Sequence, residues 1–351
     1  MSETPLFDTL QWRDPVTGGR LEPIIGARTP AGVPVCGALR VAGTSIGYPL
    51  VDCVVRLTPE LAQQHREWLE PYGLMPPSCA ETIFQTEASV NSFGFQWSWV
   101  GTMRSESDLR MRVAERFGLS PEDFAGKVVL DAGAGAGDQS RYLSDHHARV
   151  VSIDLSEAIE VVAKKMRMRP GWVGVQGDVT RLPFTENTFD VVYCEGVIQH
   201  TRDSLATVGE LVRVTRPGGM ILATHYTREA ARSWARRAKR KITLGYYNFL
   251  RNRLSAMDRS KLLLVTGNLA ALAYIPLLGR AVRATGTALY YSLMPDFRTT
   301  WTNTYDFYGG HSFQRFVTQE EFLSYFDHSR CIAVEMNSNG VIRARKTVPA
   351  Q

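Results

Sequence analysis

Paired cysteines are absent from this sequence. Its five cysteines lie far apart, and none of them stands in a CxxC pair. An odd and scattered set argues against a disulfide framework and indicates reduced thiols in a cytoplasm. The first fifteen residues carry neither a basic stretch nor an apolar one, so we expect no signal peptide and a cytoplasmic location.

Long hydrophobic runs are also scarce. Residues 262–279 lack charge over 18 residues, which is the lower limit for a membrane span, but Gly267, Asn268 and Pro276 interrupt them. We therefore predict a buried or interfacial helix pair that covers the active site.

Acidic residues are rare between residues 228 and 261, where two acids accompany eleven lysines and arginines. Arg228, Arg232, Arg236 and Arg240 are four residues apart and form one stripe on a predicted helix. The stripe is either a solvated face or a contact for an acidic substrate, a phospholipid or RNA.

The glycine loop in "VVLDAGAGAGDQSRYL" lacks the lysine of a phosphate-binding loop. Such a loop would need Gly-Lys-Ser/Thr where this chain has Gly137-Asp138-Gln139, and a dinucleotide loop would need G-x-G-x-x-G. Asp131 and Asp138 flank the loop, and carboxylates are poor neighbours for a pyrophosphate. They suit a ligand that carries an ammonium and a sulfonium.

Two further acids follow predicted strands. Asp154 comes 23 residues after Asp131, where a carboxylate can accept the hydroxyls of a ribose. Asp178 follows the next strand and could accept a hydrogen bond from an adenine amino group. Together with the glycines, these acids predict an adenosyl ligand without phosphate.

Strand-like and helix-like segments alternate from about residue 120 onwards. This alternation predicts an α/β fold with a mainly parallel sheet, whose clefts lie beyond the carboxyl ends of the strands. Residues 227–292 are helical in pattern, and an aromatic loop is predicted over residues 303–316. Thr318 and Glu321 have the spacing of a capping box, and Asn339-Gly340 predicts a final hairpin.

The motifs "VLDAGAGAGDQSRYL", "VVSIDLS", "GDVTRLPF", "FDVVYCEGVIQHTRD" and "VTRPGGMIL" resemble those of class I S-adenosylmethionine-dependent methyltransferases of the type 11 kind. The resemblance covers roughly residues 105–225. It implies a seven-stranded, mostly parallel Rossmann-like sheet with an antiparallel carboxyl-terminal hairpin, and S-adenosylmethionine as cofactor without a metal. The cofactor-binding residues it implies are Asp131, Gly133, Ala134, Gly135, Gly137, Gln139, Asp154, Leu155, Asp178, Val179, Glu195 and Gly196.

The amino-terminal stretch "YPLVDCVVRLTPE" resembles a small zinc-ribbon-like module that is often fused to such methyltransferases. That module begins with a CPxC pair, whereas this chain has Asp14-Pro15-Val16-Thr17, and only Cys36 remains where a second pair is expected. A structural zinc needs four ligands, so we expect a degenerate module without metal.

We expect five segments along the chain. Residues 1–57 form a small β module, 58–118 a helical and aromatic linker and lid, 119–226 the cofactor-binding core, 227–310 a helical insertion that caps the substrate, and 311–351 the last helix and the hairpin. The alternating aromatic residues of "SFGFQWSWV" either pack in a core or form a lid over the sulfonium.

Histidines at two strand ends are the candidate general bases, because their pKa suits proton transfer near neutrality. His200 follows the fourth strand and His225 the fifth, although His200 could only orient its loop. Methyl transfer needs alignment and exclusion of water as well as a base. The candidate substrate contacts are Trp97, Gln199, Tyr226, Tyr305, Asp306 and Tyr308.

The apolar insertion favours methyl transfer to an O, N or C atom of a small, largely apolar or aromatic acceptor, for example in natural-product biosynthesis. One alternative is a lipid, quinone or polyprenyl substrate, with peripheral membrane contact through residues 228–279. A second is RNA, which the apolar insertion disfavours because nucleic acid calls for a basic polar surface. A third is a cofactor-binding protein without catalysis. The oligomeric state stays open, with a dimer as one option.

Overall fold

The computed structural model describes residues 4–78, 104–227, 245–246, 249–285, 287–288, 297–309, 315–327 and 332–348. Trp97 with its aromatic neighbours and the stripe from Arg228 to Arg240 lie outside these residues. The chain divides into two compact units. The first holds residues 1–85, 101–228 and 313–351, and the second holds residues 86–100 and 229–312.

The first unit is built on one twelve-stranded sheet, as far as the described residues go, in the order β1-β2-β3-β4-β5-β8-β7-β6-β9-β10-β12-β11. The strands are β1 (Trp12–Arg13), β2 (Arg20–Arg28), β3 (Pro34–Val41), β4 (Gly47–Val51), β5 (Val54–Arg56), β6 (Val128–Ala132), β7 (Arg149–Asp154), β8 (Trp172–Gln176), β9 (Phe189–Cys194), β10 (Thr215–Thr224), β11 (Ile332–Ser338) and β12 (Val341–Lys346).

Helices accompany the sheet and form the described part of the second unit. They are α1 (Leu6–Thr9), α2 (Pro59–Gln64), α3 (Glu106–Val113), α4 (Asp138–Asp145), α5 (Ala158–Met166), α6 (Ser204–Val214), α7 (Arg259–Leu272), α8 (Leu278–Thr285), α9 (Phe297–Tyr308) and α10 (Gln319–Asp327).

The last seven strands of the sheet confirm the predicted α/β methyltransferase class. β8, β7, β6, β9 and β10 are parallel neighbours, and β12 and β11 complete the edge in antiparallel pairing. β8 and β9 are buried at every residue, since elements cover both faces of these parallel strands. The near-continuous apolar runs "WVGVQ" and "FDVVYC" follow from this double burial.

The five amino-terminal strands extend the same sheet. β5 pairs in parallel with β8, and Val54 lies opposite Gly174. The hairpin that joins β4 to β5 turns at Asp52 and Cys53, whose φ angles of 51° and 69° match the type I′ turn typical of hairpins. The extent of the five predicted segments stays a prediction, but the β module shares its hydrogen bonding with the methyltransferase strands.

The carboxyl-terminal hairpin forms as the sequence predicts. Asn339 and Gly340 have φ angles of 49° and 73° between β11 and β12, and the hydroxyl of Thr318 accepts a hydrogen bond from the Glu321 amide at the start of α10. The backbone twist of a type I′ turn matches the right-handed twist of the two flanking strands, which explains why this dipeptide favours the hairpin.

The second unit contains a correction to the sequence analysis. The predicted aromatic loop over residues 303–316 is helical up to Tyr308, because α9 spans Phe297–Tyr308. Tyr305 and Tyr308 share one helix face and pack in a cluster with Leu254 and Leu262.

α7 and α8 contain most of residues 262–279, but Leu264, Ile275 and Leu277 are exposed, so the pair is not buried throughout, and its cover over the active site stays a prediction. No helix in the described ranges is long and apolar enough to cross a membrane.

Candidate active site

Parallel pairing brings the loops that follow β6, β7, β8, β9 and β10 to the same edge of the sheet. The chain leaves β6 toward β7 and β8 on one side and returns to β9 and β10 on the other. Open α/β sheets bind ligands at such a reversal of strand order. The predicted residues that meet at this edge are Gly133, Ala134, Gly135, Gly137, Asp154, Leu155, Asp178, Val179, Glu195, Gly196, Gln199, His200, His225 and Tyr226.

The glycine loop turns tightly at this edge. Gly133, Gly135 and Gly137 have φ angles of 85°, 51° and 79°, in the left-handed region that favours glycine. A Cβ atom at Gly133 would lie 2.2 Å from Cγ2 of Val197 in the loop after β9. The amides of Gly133 and Ala134 both donate to the Ile153 carbonyl, at 2.8 and 3.0 Å. The loop is therefore fixed by β7 and has no space for a side chain at Gly133.

The two acids that flank the loop are less available to a ligand than the sequence suggests. Asp131 is 2% exposed, and its carboxylate accepts a hydrogen bond of 2.5 Å from the Ser140 hydroxyl. Burial raises its pKa to about 7. Asp138 lies 3.5 Å from the Lys165 ammonium, which also donates to the Ala136 carbonyl. Both acids support the loop, and a direct contact of Asp131 with the cofactor stays a prediction.

Asp154 stands at the end of β7 and organises the loop next to it. Its Oδ2 accepts from the Gly135 amide at 2.8 Å, and its Oδ1 accepts from the amide and the hydroxyl of Ser156. A carboxylate has about four acceptor positions, so about one remains for a ribose hydroxyl. The two ribose bonds expected from the sequence would require Asp154 to give up one of its present partners. Burial raises the pKa of this carboxyl.

Glu195 ends the β9 segment inside a cluster that the sequence analysis missed. Its carboxylate is 2.6 Å from Arg116 and 3.2 Å from Arg112, and it accepts hydrogen bonds from Tyr193 and Gln139. Burial opposes its charge, but the nearby arginines prevail and lower the pKa of Glu195 to about 2. Arg112 and Arg116 show only helical spacing in the sequence, since their partner lies 83 and 79 residues away.

Gln199 is the most unusual polar residue at this edge. It is fully buried, yet neither its amide nitrogen nor its amide oxygen has a hydrogen-bond partner among the described residues. Its nitrogen lies 3.9 Å from the position of a Cβ atom on Gly196, in the loop after β9. An unsatisfied buried amide costs about 1–3 kcal/mol, so its presence points to a missing ligand group.

The two candidate bases have different surroundings. The ring of His200 meets Tyr226 edge to face at 5.5 Å, and Tyr226 stacks on Phe316. His225 is 4% exposed and packs against Phe322 and Tyr325 of α10.

Burial lowers the pKa of His225, which favours the neutral ring, and its Nε2 has no partner in the described chain. His200 lies within the aromatic group beside Gln199, whereas His225 lies under α10. Catalysis by either histidine stays a prediction.

Three predicted substrate contacts lie in the second unit. Tyr305 and Tyr308 are buried in its own apolar cluster, and the Tyr308 hydroxyl donates to the Thr287 carbonyl at 3.1 Å. Burial lowers the pKa of the Arg251 guanidinium, and the nearby carboxylate of Asp306 opposes that shift. Packing therefore accounts for both tyrosines within this unit, and their contact with substrate stays a prediction. Trp97 falls outside the described residues.

The residues at the strand edge fit an adenosyl cofactor. The cradle under Gly133 would be filled by any side chain, Asp154 keeps an acceptor position, and Gln199 holds orphaned polar atoms. A small open pocket adjoins Leu155 and Asp178, where the adenine is expected. The described residues contain no group of three or more His, Cys, Asp or Glu side chains that could hold a metal ion.

Strand order, the glycine loop and Asp154 at the end of β7 are the features of a class I methyltransferase fold. Residues 130–223 match the family model described as "Methyltransferase domain".

Relatives are similar over the same region. A demethylmenaquinone methyltransferase from Beutenbergia cavernae is 39% identical over 102 residues, which cover 29% of this chain and 42% of that protein. A malonyl-acyl-carrier-protein O-methyltransferase from Pectobacterium atrosepticum is 31% identical over 134 residues, which cover 37% of this chain and 52% of that protein. The chain thus spans about half the length of these relatives.

A solved structure is also similar, that of the N-methyltransferase NodS from Bradyrhizobium japonicum in complex with S-adenosyl-L-homocysteine. The identity is 16%, the TM-score is 0.34, and the match covers 40% of this chain and 74% of that chain.

Proposed function

We propose that the protein transfers a methyl group from S-adenosylmethionine to a small, largely apolar acceptor. The cofactor would supply an electrophilic methyl carbon on a sulfonium, which is the chemistry that the protein itself lacks. The glycine loop, Asp154 and the Leu155–Asp178 pocket support its binding at the strand edge. The acceptor would enter beside Gly196, where the loops after β9 and β10 meet.

The main support for an apolar acceptor with one polar group is the buried amide of Gln199. Its two orphaned atoms can give one donor and one acceptor to a ligand, and nothing else in the described chain satisfies them. The neighbouring groups are aromatic, namely His200, Tyr226 and Phe316. A site with one amide in aromatic surroundings fits an apolar molecule that carries a single polar group.

The transfer forms a bond from the acceptor O, N or C atom to the methyl carbon and breaks the bond from that carbon to sulfur. An O–H or N–H acceptor also loses a proton. His200 is the better placed of the two histidines to take it, because its ring lies beside Tyr226 in the loop region that holds Gln199. Gln199 would align the acceptor by hydrogen bonding to its polar group.

Binding of S-adenosyl-L-homocysteine tests the cofactor half of the proposal. We expect the full chain to bind it in isothermal calorimetry, and Gly133→Ala to abolish binding because of the contact with Val197. Gly209→Ala is the matched control, since Gly209 lies exposed in α6 with nothing within 4 Å of an added Cβ. Absence of binding by the unaltered protein would overturn the proposed function.

Transfer of a labelled methyl group tests the acceptor half. The protein would be incubated with methyl-labelled S-adenosylmethionine and three acceptor groups: small phenols and amines, quinones in detergent, and total RNA. We expect label in the first group, and label confined to RNA would contradict the proposal.

A second candidate function is methylation of a lipid or quinone at a membrane surface. Residues 259–285 contain no acid, and within them Ile275, Leu277 and Leu278 are exposed next to exposed Arg280. Leu277 alone is 81% exposed, and such an apolar and basic surface suits the boundary of an anionic bilayer. The relative from Beutenbergia cavernae, whose name refers to a menaquinone precursor, is compatible with this candidate.

Co-sedimentation with vesicles distinguishes the two candidates. If the second is right, the protein pellets with anionic phospholipid vesicles, and Leu277→Asp prevents this. Met168→Asp is the control, because Met168 is an exposed apolar residue of the first unit. Equal recovery in the supernatant with and without vesicles would eliminate the membrane candidate.

A further inference from the structure

We propose that the amino-terminal β module and the start of α2 form one wall of the adenine subsite and that Glu60 supplies a second hydrogen-bond acceptor for the adenine amino group. This inference rests on the proposed use of an adenosyl cofactor. It assigns a role to a part of the chain that lies outside residues 130–223, the region that matches the methyltransferase family.

The pocket next to the predicted adenine position is built by two parts of the first unit. Leu155 follows β7, and Asp178 and Arg181 follow β8, so these three belong to the methyltransferase strands. The other lining residues come from earlier in the chain: Pro15, Val16 and Leu57 belong to the amino-terminal β module, and Thr58, Pro59 and Glu60 follow it at the start of α2.

Glu60 is held in this wall with both side-chain oxygens buried and lacking a hydrogen-bond partner among the described residues. Its backbone is fixed, because Glu60 lies in the first turn of α2 and the Thr58 hydroxyl caps that turn by accepting from the Leu61 amide. A buried carboxylate accepts hydrogen bonds and cannot donate them when ionised, so it calls for a donor in the pocket.

The adenine amino group provides such donors. It has two N–H bonds in the plane of the ring, and one acceptor can satisfy only one of them well. Asp178 accepts from the Thr180 amide through Oδ1 and also interacts with the Thr180 side chain, so about two of its four acceptor positions remain for the ligand. Glu60 can take the remaining N–H, while apolar atoms of Leu155 and Leu57 cover the ring.

Val16 supports the same assignment from the other end of the wall. It is 45% exposed although it is apolar and lines the pocket, which is the state expected of a residue that a flat ring covers. Its loop is held by Asp14, which accepts hydrogen bonds from the Tyr48 hydroxyl at 2.7 Å and from the Thr17 hydroxyl at 2.5 Å. These bonds close the loop where a zinc-ribbon would have its first two thiols, so the wall keeps its shape without metal.

The test compares the binding of two ligands to the full-length protein by isothermal calorimetry. One form is S-adenosyl-L-homocysteine, and the other carries a 6-carbonyl oxygen in place of the amino group. The unaltered protein should favour the amino form, because two carboxylates repel the carbonyl oxygen. Glu60→Ala should weaken binding of the amino form about ten- to hundredfold, as expected for a hydrogen bond to a charged group.

Glu60→Gln should reduce the preference for the amino form, because an amide can turn its N–H toward the carbonyl. This variant also decides the question if Glu60→Ala does not fold. Glu70→Ala is the control, since Glu70 is an exposed acid ten residues further along the chain. A preference unchanged by both Glu60 variants, with the unaltered protein binding normally, overturns this inference alone. No binding of either form by the unaltered protein overturns the proposed function.

Discussion

Gln199 and Gln176 are two buried glutamines with opposite surroundings. Gln199 is 0% exposed and unsatisfied among the described residues, whereas Gln176 is 3% exposed and accepts a 2.6 Å hydrogen bond from Arg56. Gln176 also donates to the Leu155 carbonyl. The first glutamine therefore lowers stability, and the second raises it.

Substitution by leucine should separate these two roles. Gln199→Leu removes an unsatisfied amide, so we expect stability to stay level or rise by about 1 kcal/mol while methyl transfer falls. Gln176→Leu removes the hydrogen bond between the buried amide and Arg56, although Glu160 and the Val51 carbonyl remain as acceptors, and should lower stability by about 1–3 kcal/mol. Urea unfolding and single-turnover transfer measure both effects. A Gln199→Leu variant with full activity would remove this residue from the acceptor site.

The Asp131 carboxyl predicts a pH dependence of stability. Its folded pKa of about 7 lies above its ordinary value of 3.8, since burial favours the neutral acid. The associated stability is fully present below about pH 4 and is lost as the pH rises through about 7. From pH 5 to pH 8, the unaltered protein should lose about 2–3 kcal/mol relative to Asp131→Asn in urea unfolding. A constant difference would contradict this pKa.

At the scale of elements, β12 is attached to the end of α6 by one ammonium group. Lys346 donates to the carbonyls of Val212 and Thr215 at 3.0 and 2.8 Å, and to the Asn187 side chain at 2.8 Å. The carbonyls at a helix carboxyl terminus carry partial negative charge and favour a cation. The antiparallel strand therefore stabilises the helix that precedes β10.

Lys346→Met keeps the aliphatic part of the side chain and removes the charge. We expect a loss of about 1.5–3 kcal/mol, because hydrogen bonds to charged groups have this magnitude. Lys164→Met on the exposed face of α5 is the control and should change stability by less than about 0.5 kcal/mol. The free energy of unfolding in urea measures both, and equal values would show that Lys346 has no such role.

At the scale of the molecule, Arg56 connects the amino-terminal strands to the methyltransferase strands. It is 3% exposed, and its guanidinium contacts Gln176 of β8 at 2.6 Å and Glu160 of α5 at 2.5 Å. These side-chain contacts add to the backbone hydrogen bonds between the parallel strands β5 and β8. The first unit should therefore unfold in one cooperative transition that includes the β module.

Arg56→Leu tests this connection. We expect a loss of about 2–4 kcal/mol, since the change leaves the buried Gln176 oxygen without its donor and breaks an ion pair in which Arg56 is buried and Glu160 partly exposed. Arg40→Leu is the control, because Arg40 and Glu22 form an exposed pair that contributes about 0–1 kcal/mol. Calorimetric scans with two separate transitions for the first unit would contradict the proposed cooperativity.

A structural feature was predictable from the sequence when its contacting residues lie close together along the chain. The turn at Asn339 and the cap at Thr318 were predictable, because their signals lie within four residues of the structures they specify. The segment that contains Tyr305 forms a helix but is predicted as a loop, because its aromatic composition concealed the helical spacing of its residues. The arginine cluster around Glu195 was missed, because its members lie about 80 residues apart and have no common local signal.

The sequence by itself determined the alternation of strands and helices, the glycine loop and the acids that end the strands. Those features depend on backbone preference, side-chain periodicity and the absence of a side chain at Gly133, all of which are local. Only the tertiary structure decided that Asp131 supports the loop from the core, that the buried Gln199 amide lacks a partner among the described residues and that Glu60 and Asp178 line the same pocket. Burial and the partners of a charge are set by residues brought together from distant parts of the chain.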